Sequence, residues 1–84
     1  MEFYLLALRS LTYAQRARDI LGAAGIRAAV IKTPSGVSPK GCSHSLKVRS
    51  QEAARAAAHL RSQGINIEKI FAATGSGNYL EVPL

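Results

Sequence analysis

Residues 33–46 read TPSGVSPKGCSHSL, and this polar stretch divides the chain into two halves that read alike. It holds Pro34, Pro39, Gly36, Gly41, four serines and Cys42, the only cysteine among 84 residues. Proline lacks the backbone donor that strand pairing needs, and glycine accepts backbone angles that other residues avoid, so the stretch reads as a loop. From about Ser43 the pattern becomes an alternation, with His44, Leu46 and Val48 on one side and Ser45, Lys47 and Arg49 on the other. A period of two predicts a half-buried strand whose second set faces solvent.

Working outward toward the N-terminus, residues 26–31 end in β-branched side chains and predict another strand. Before it, Ala14, Ala17, Leu21 and Ala24 recur at helical intervals. Thr12 is the expected cap, with Gln15 at capping-box spacing, and Gly25 the expected stop. Residues 3–8, FYLLAL, are apolar on both faces and predict a central strand covered on both sides. Toward the C-terminus, Ser50 is the expected cap of a second helix, with Glu52 near its positive end. Ala53, Ala57 and Leu60 form that helix's buried stripe, and Gly64 ends it. Residues 65–73 then predict a fourth strand, and Gly75-Ser76-Gly77 a break.

The halves echo one another in Ala24-Gly25-Ile26 and Gln63-Gly64-Ile65, each a helix end followed by a strand. The order β-α-β, loop, β-α-β predicts an α+β, ferredoxin-like βαββαβ sandwich with four antiparallel strands and both helices on one face. The expected domain covers residues 1–75, with a tail over 76–84 that adds an edge strand or packs on the sheet. The other sheet face is then bare unless covered, and Tyr4, Leu6 and Leu8, or their neighbours, are candidates for holding the tail or a second copy in a homodimer.

Composition bounds the function. The length fits one domain, and no apolar run reaches the roughly 20 residues a membrane-spanning helix needs. Glu2 stands where a signal peptide carries positive charge, and one cysteine cannot form an internal disulfide, so a cytoplasmic location is expected. The formal net charge of +6 suits an anionic ligand, an acidic protein or nucleic acid. The cations are nevertheless spread along the chain, and beyond a tyrosine and phenylalanine cluster near the N-terminus no RNP-like aromatic–basic motif is present, which argues against nucleic acid.

The loop offers few routes to catalysis. All five carboxylates lie outside it, so no Ser-His-Asp arrangement can be built around its serines. The glycines at Gly36 and at Gly75 and Gly77 match no phosphate-binding motif, and nothing implies a cofactor. His44, two residues beyond Cys42, is a potential base, but two ligands do not make a closed metal site, and His59 is remote on the second helix. Cys42 itself shares its parity with His44, Leu46 and Val48, so an early strand start turns it inward as a small hydrophobe. On the residues alone, a reactive and a structural cysteine both stand.

The run Ala14, Ala17, Leu21, Ala24-Gly25-Ile26, then Thr33-Pro34, Ser38, Gly41-Cys42, Leu46 and Val48 resembles the small bacterial selenium/sulfur carrier-like domains. The resemblance covers about residues 3–73, and its specific part is the Thr-Pro…Cys loop. The chain departs from the family's pattern at Ser43, where glycine commonly follows the cysteine, at Arg18, where an acidic residue is common, and in a slightly longer loop. The resemblance implies a carrier rather than a complete enzyme: Cys42 holds a persulfide or selenopersulfide passed from a donor protein to an acceptor protein. A thiolate nucleophile benefits from nearby cations, which singles out Lys40, Lys32 and Lys47 together with His44, while Gly41 removes bulk beside the sulfur. The alternative is a non-enzymatic homodimeric binding module whose basic loop holds an anionic ligand or a partner protein.

Overall fold

The computed structural model describes residues 3–34, 44–74 and 77–83. The elements are β1 (Phe3–Leu8), α1 (Leu11–Ala23), β2 (Ala29–Lys32), β3 (His44–Arg49), α2 (Ser50–Ser62), β4 (Lys69–Ala73) and β5 (Tyr79–Glu81). They form an α+β structure with one sheet of strand order β2-β3-β1-β4-β5, antiparallel throughout. The expected β-α-β-β-α-β order is present, and the tail supplies β5 as an edge strand.

One face of the sheet carries both helices. Leu6 and Leu8 of β1, Leu46 and Val48 of β3 and Ile70 of β4 share a buried cluster with Ala14, Ala17 and Leu21 of α1 and Ala53, Ala56, Ala57 and Leu60 of α2. The small alanines let the helix axes approach the sheet closely. On the opposite face Leu5, Ala7 and Phe71 form a second cluster, flanked by half-buried Phe3, Ile31 and Tyr79. β1 is thus buried on both sides: Leu5, Leu6, Ala7 and Leu8 are 0% exposed. Tyr4, Leu6 and Leu8 face the helices; of their neighbours on the helix-free face, Leu5 and Ala7 are buried and Phe3 is half-buried.

Both helices end the same way. Gly25 has φ +80°, Gly25 N–H donates to Gly22 O at 3.1 Å, and Ile26 N–H donates to Leu21 O at 2.9 Å. Gly64 repeats this with φ +80°, donating to Arg61 O at 3.1 Å while Ile65 donates to Leu60 O at 2.9 Å. This is the Schellman arrangement, in which a left-handed residue lets two amides close the last carbonyls. Each closing isoleucine packs against the core that holds the leucine it bonds.

That arrangement also shortens the strands. Ile26 and Ile65 commit their amides to helix carbonyls, so β2 begins at Ala29 and β4 at Lys69 rather than directly after the glycines. The helix starts differ too. Ser10, extended at φ −156° and ψ 163°, caps α1 by accepting from Tyr13 N–H at 3.1 Å, two residues before the expected Thr12. Ser50 is the first residue of α2 and not its cap, because β3 keeps Arg49 extended opposite Phe3 and runs straight into the helix.

Two further contacts link neighbouring elements. Arg55 on α2 donates to Glu52 at 3.0 Å and to the Ala24 carbonyl beyond α1 at 3.2 Å. The Tyr13 hydroxyl accepts from Asn66 N–H at 2.7 Å, and the Arg9 guanidinium lies 4.6 Å from the Tyr13 ring centre.

Candidate functional site

The two strands that bracket the loop are paired to their ends. β2 runs antiparallel to β3, with Ala29 opposite Lys47, Val30 opposite Leu46, Ile31 opposite Ser45 and Lys32 opposite His44. The covalent link between them is residues 33–43, of which 33 and 34 are described. Lys40, Gly41 and Cys42 lie outside the described residues.

The mouth of that link is built from four side chains on two faces. Lys32 and His44 stand directly opposite one another, where Cβ atoms are about 5 Å apart, and Leu8 is opposite His44 on the other side. Lys32 is exposed and His44 half-buried. On the helix-free face Thr33 Oγ1 and Ser45 Oγ share a hydrogen bond of 2.7 Å. Ser45 is 0% exposed, so the sequence expectation that it faces solvent is corrected. Its side of β3 lies against Ala7 and Ile31, both packed in or around the smaller apolar cluster, and Thr33 supplies the partner that burial requires. Sequence reasoning missed this pair, whose only signal is a hydroxyl at each end of the loop.

Of the described residues expected at the site, Lys32 and His44 are brought together. Lys47 is not beside them. It lies three positions further along β3 on the opposite face, with its ammonium nitrogen 4.3 Å from the centre of the Phe3 ring.

A shallow groove of about 400 Å³ at the end of α1 is lined by Arg18, Gly22, Gly25, Ile26, Arg27 and Ala28. No group of three or more His, Cys, Asp or Glu among the described residues is placed to hold a metal ion. No described helix is long and apolar enough to cross a membrane.

The model of the family described as "Putative Se/S carrier protein-like" matches residues 3–72, from the first residue of β1 to within one residue of the end of β4. No curated protein and no solved structure matches the chain significantly.

Proposed function

The chain belongs to the Se/S carrier protein-like family, and from that premise we propose that Cys42 is the carrying thiol, exchanging sulfur or selenium with a donor protein and an acceptor protein. The observation that supports this is the match over residues 3–72, which spans the chain's single cysteine and both strands flanking it.

The chemistry is a transfer between sulfurs. The Cys42 thiolate attacks the outer sulfur of a donor persulfide, the bond between the donor's two sulfurs breaks, and the donor leaves as a thiolate. Cys42 now carries –S–SH, and no external oxidant or reductant is consumed. Delivery is the same displacement with an acceptor thiolate as nucleophile. With selenium, the carried group is –S–SeH. The chain's own contribution is the thiol itself, carried in the link between β2 and β3, and the charged residues that would favour its ionised form. Cys42 is covalently two residues from His44, within about 7 Å Cα to Cα, and Lys32 stands opposite His44. Lys40 is two residues from Cys42 in the chain. A cation brought near the sulfur favours the thiolate.

The test is intact mass after incubation with a persulfide donor. The wild type is expected to gain one sulfur atom, which dithiothreitol removes, and Cys42→Ser to gain none. A Cys42 that resists alkylation near neutral pH until the protein is denatured overturns the reading. Lys40→Ala with Lys32→Ala is expected to slow alkylation severalfold while leaving the fold intact by circular dichroism.

A further inference from the structure

The helix-free face of the sheet has a second chemically distinct end, remote from the strand ends Lys32 and His44. Phe3 opens β1, Arg49 closes β3 opposite it, and Tyr79 opens β5. The Phe3 and Tyr79 rings meet edge-on, with centroids 6.5 Å apart and planes at 66°. The Lys47 ammonium stands over the Phe3 ring. From Phe3 to Leu8 the strand advances about 17 Å, at about 3.4 Å per residue, so this cluster is separate from the His44 end.

We infer that this aromatic–cationic end, Phe3 and Tyr79 with Lys47 and Arg49, is a binding site for single-stranded nucleic acid. Such sites combine rings on which bases stack with cations that track the phosphates. Both elements are here on one face. Phe3 and Tyr79 are half-buried, held by the sheet but still reaching solvent, while Lys47 and Arg49 are exposed. Neither cation is neutralised by a described carboxylate: Asp19, Glu52 and Glu81 pair with Arg18, Arg55 and Lys69. Asn66 donates to Glu68 at 3.0 Å in the connection before β4.

A protein partner is the competing occupant, and the surface fits it less well. The core of a protein interface wants exposed apolar anchors with charge depleted. The large hydrophobic residues most exposed among those described are Leu11 and Leu80. Leu11 opens α1, and Leu80 lies on the helix side of the sheet, in register with Ala72 and, through it, Tyr4. Leu5, Ala7 and Phe71 are already buried, so the platform is confined to the Phe3–Tyr79 end. Base stacking and phosphate contact need a small patch of this kind and no deep groove.

The test is fluorescence anisotropy of a short labelled oligothymidylate and of the matching oligouridylate, in low salt. Binding of either is expected, with log affinity falling against log salt at a slope near −1.4 for two phosphate contacts on a single strand. Tyr79→Leu is expected to weaken binding about 5- to 150-fold, the range of one lost base stack, and to abolish oligonucleotide quenching of tyrosine fluorescence. Lys47→Gln with Arg49→Gln is expected to flatten the salt slope, and since both side chains are exposed this variant keeps the fold. No anisotropy change at low salt overturns the inference. Loss of binding in the cation variant with full retention in a folded Tyr79→Leu overturns it too, since the site is then only a charged surface. Equal binding of polyglutamate, insensitive to Tyr79→Leu, replaces it with an acidic protein partner.

Discussion

At the scale of single residues, the hydroxyl pair at the mouth of the loop makes an asymmetric prediction. Ser45 is fully buried and Thr33 only partly. Thr33→Val leaves a buried hydroxyl without its partner and is expected to cost about 1–3 kcal/mol. Ser45→Ala leaves Thr33 able to turn toward water, so the cost is about 0.5–1.5 kcal/mol, that of a hydrogen bond lost without a stranded group. Urea denaturation of the two variants checks the order, and equal midpoints would show that Thr33 is not what satisfies Ser45. The alternation in β3 disclosed that residues 44–49 form a strand with two unlike faces. It could not disclose that the Ser45 side is also covered, because that depends on Ala7 and Ile31 arriving from two other strands. Cys42 was legible as the one thiol and as belonging between β2 and β3. Its surroundings were not, because reactivity depends on which charged groups the fold gathers, and Lys47 shows how parity alone can send a nearby cation to the other face.

Among the elements, the helix ends carry the clearest local code. At φ +80° an L-residue with a β-carbon is strained, while glycine is not. A β-carbon built at Gly25 or Gly64 meets nothing within 4 Å, so the penalty for alanine is purely that of the backbone. Gly25→Ala and Gly64→Ala are each expected to destabilise by about 1–2 kcal/mol, lowering the melting temperature by roughly 4–8 °C per kcal/mol in a domain of this size. Gly25→Asn should lose less, since asparagine enters the left-handed region more readily. Thermal circular dichroism measures all three. The repeated Gly-Ile made both helix stops readable in the chain. The starts were harder to read because candidate caps stand two apart at Ser10 and Thr12, and only the point where β1 releases the chain chooses between them. Likewise, nothing local in Ile65 or Ile67 says that they pack under the helices instead of joining β4; the amide that Ile65 gives to Leu60 decides it.

For the whole molecule, the organisation around β1 separates essential from peripheral parts. β1 is hydrogen-bonded to β3 on one side and β4 on the other, and Leu6 is in the cluster that both helices close. The doubly apolar run at residues 3–8 announced this central place, and the β-α-β halves announced the strand order. The aromatic–cationic end was invisible because its four residues come from three strands and never form a contiguous motif. A large-to-small change at Leu6 removes packing from the cluster between the sheet and both helices. Leu6→Ala is expected to cost about 2–5 kcal/mol, the usual range for a buried leucine. That is a large share of the roughly 5–15 kcal/mol that holds a native domain. Removing residues 78–84 takes away the edge strand β5, with the Lys69–Glu81 pair, the Phe3–Tyr79 contact, the Asn78 carbonyl that accepts from the Thr74 N–H and hydroxyl at 3.0 Å each, the Val82 N–H to Ile70 O bond of 2.8 Å and Val82's place at the rim of the core. The four strands β2-β3-β1-β4 and both helices keep their mutual contacts. The truncated chain is therefore expected to keep a cooperative urea transition and a near-native far-ultraviolet spectrum, with a lower midpoint. Leu6→Ala should move that midpoint further than the loss of the whole tail. If the truncation unfolds the protein while Leu6→Ala leaves it stable, the core is organised around the β4–β5 edge and not around β1.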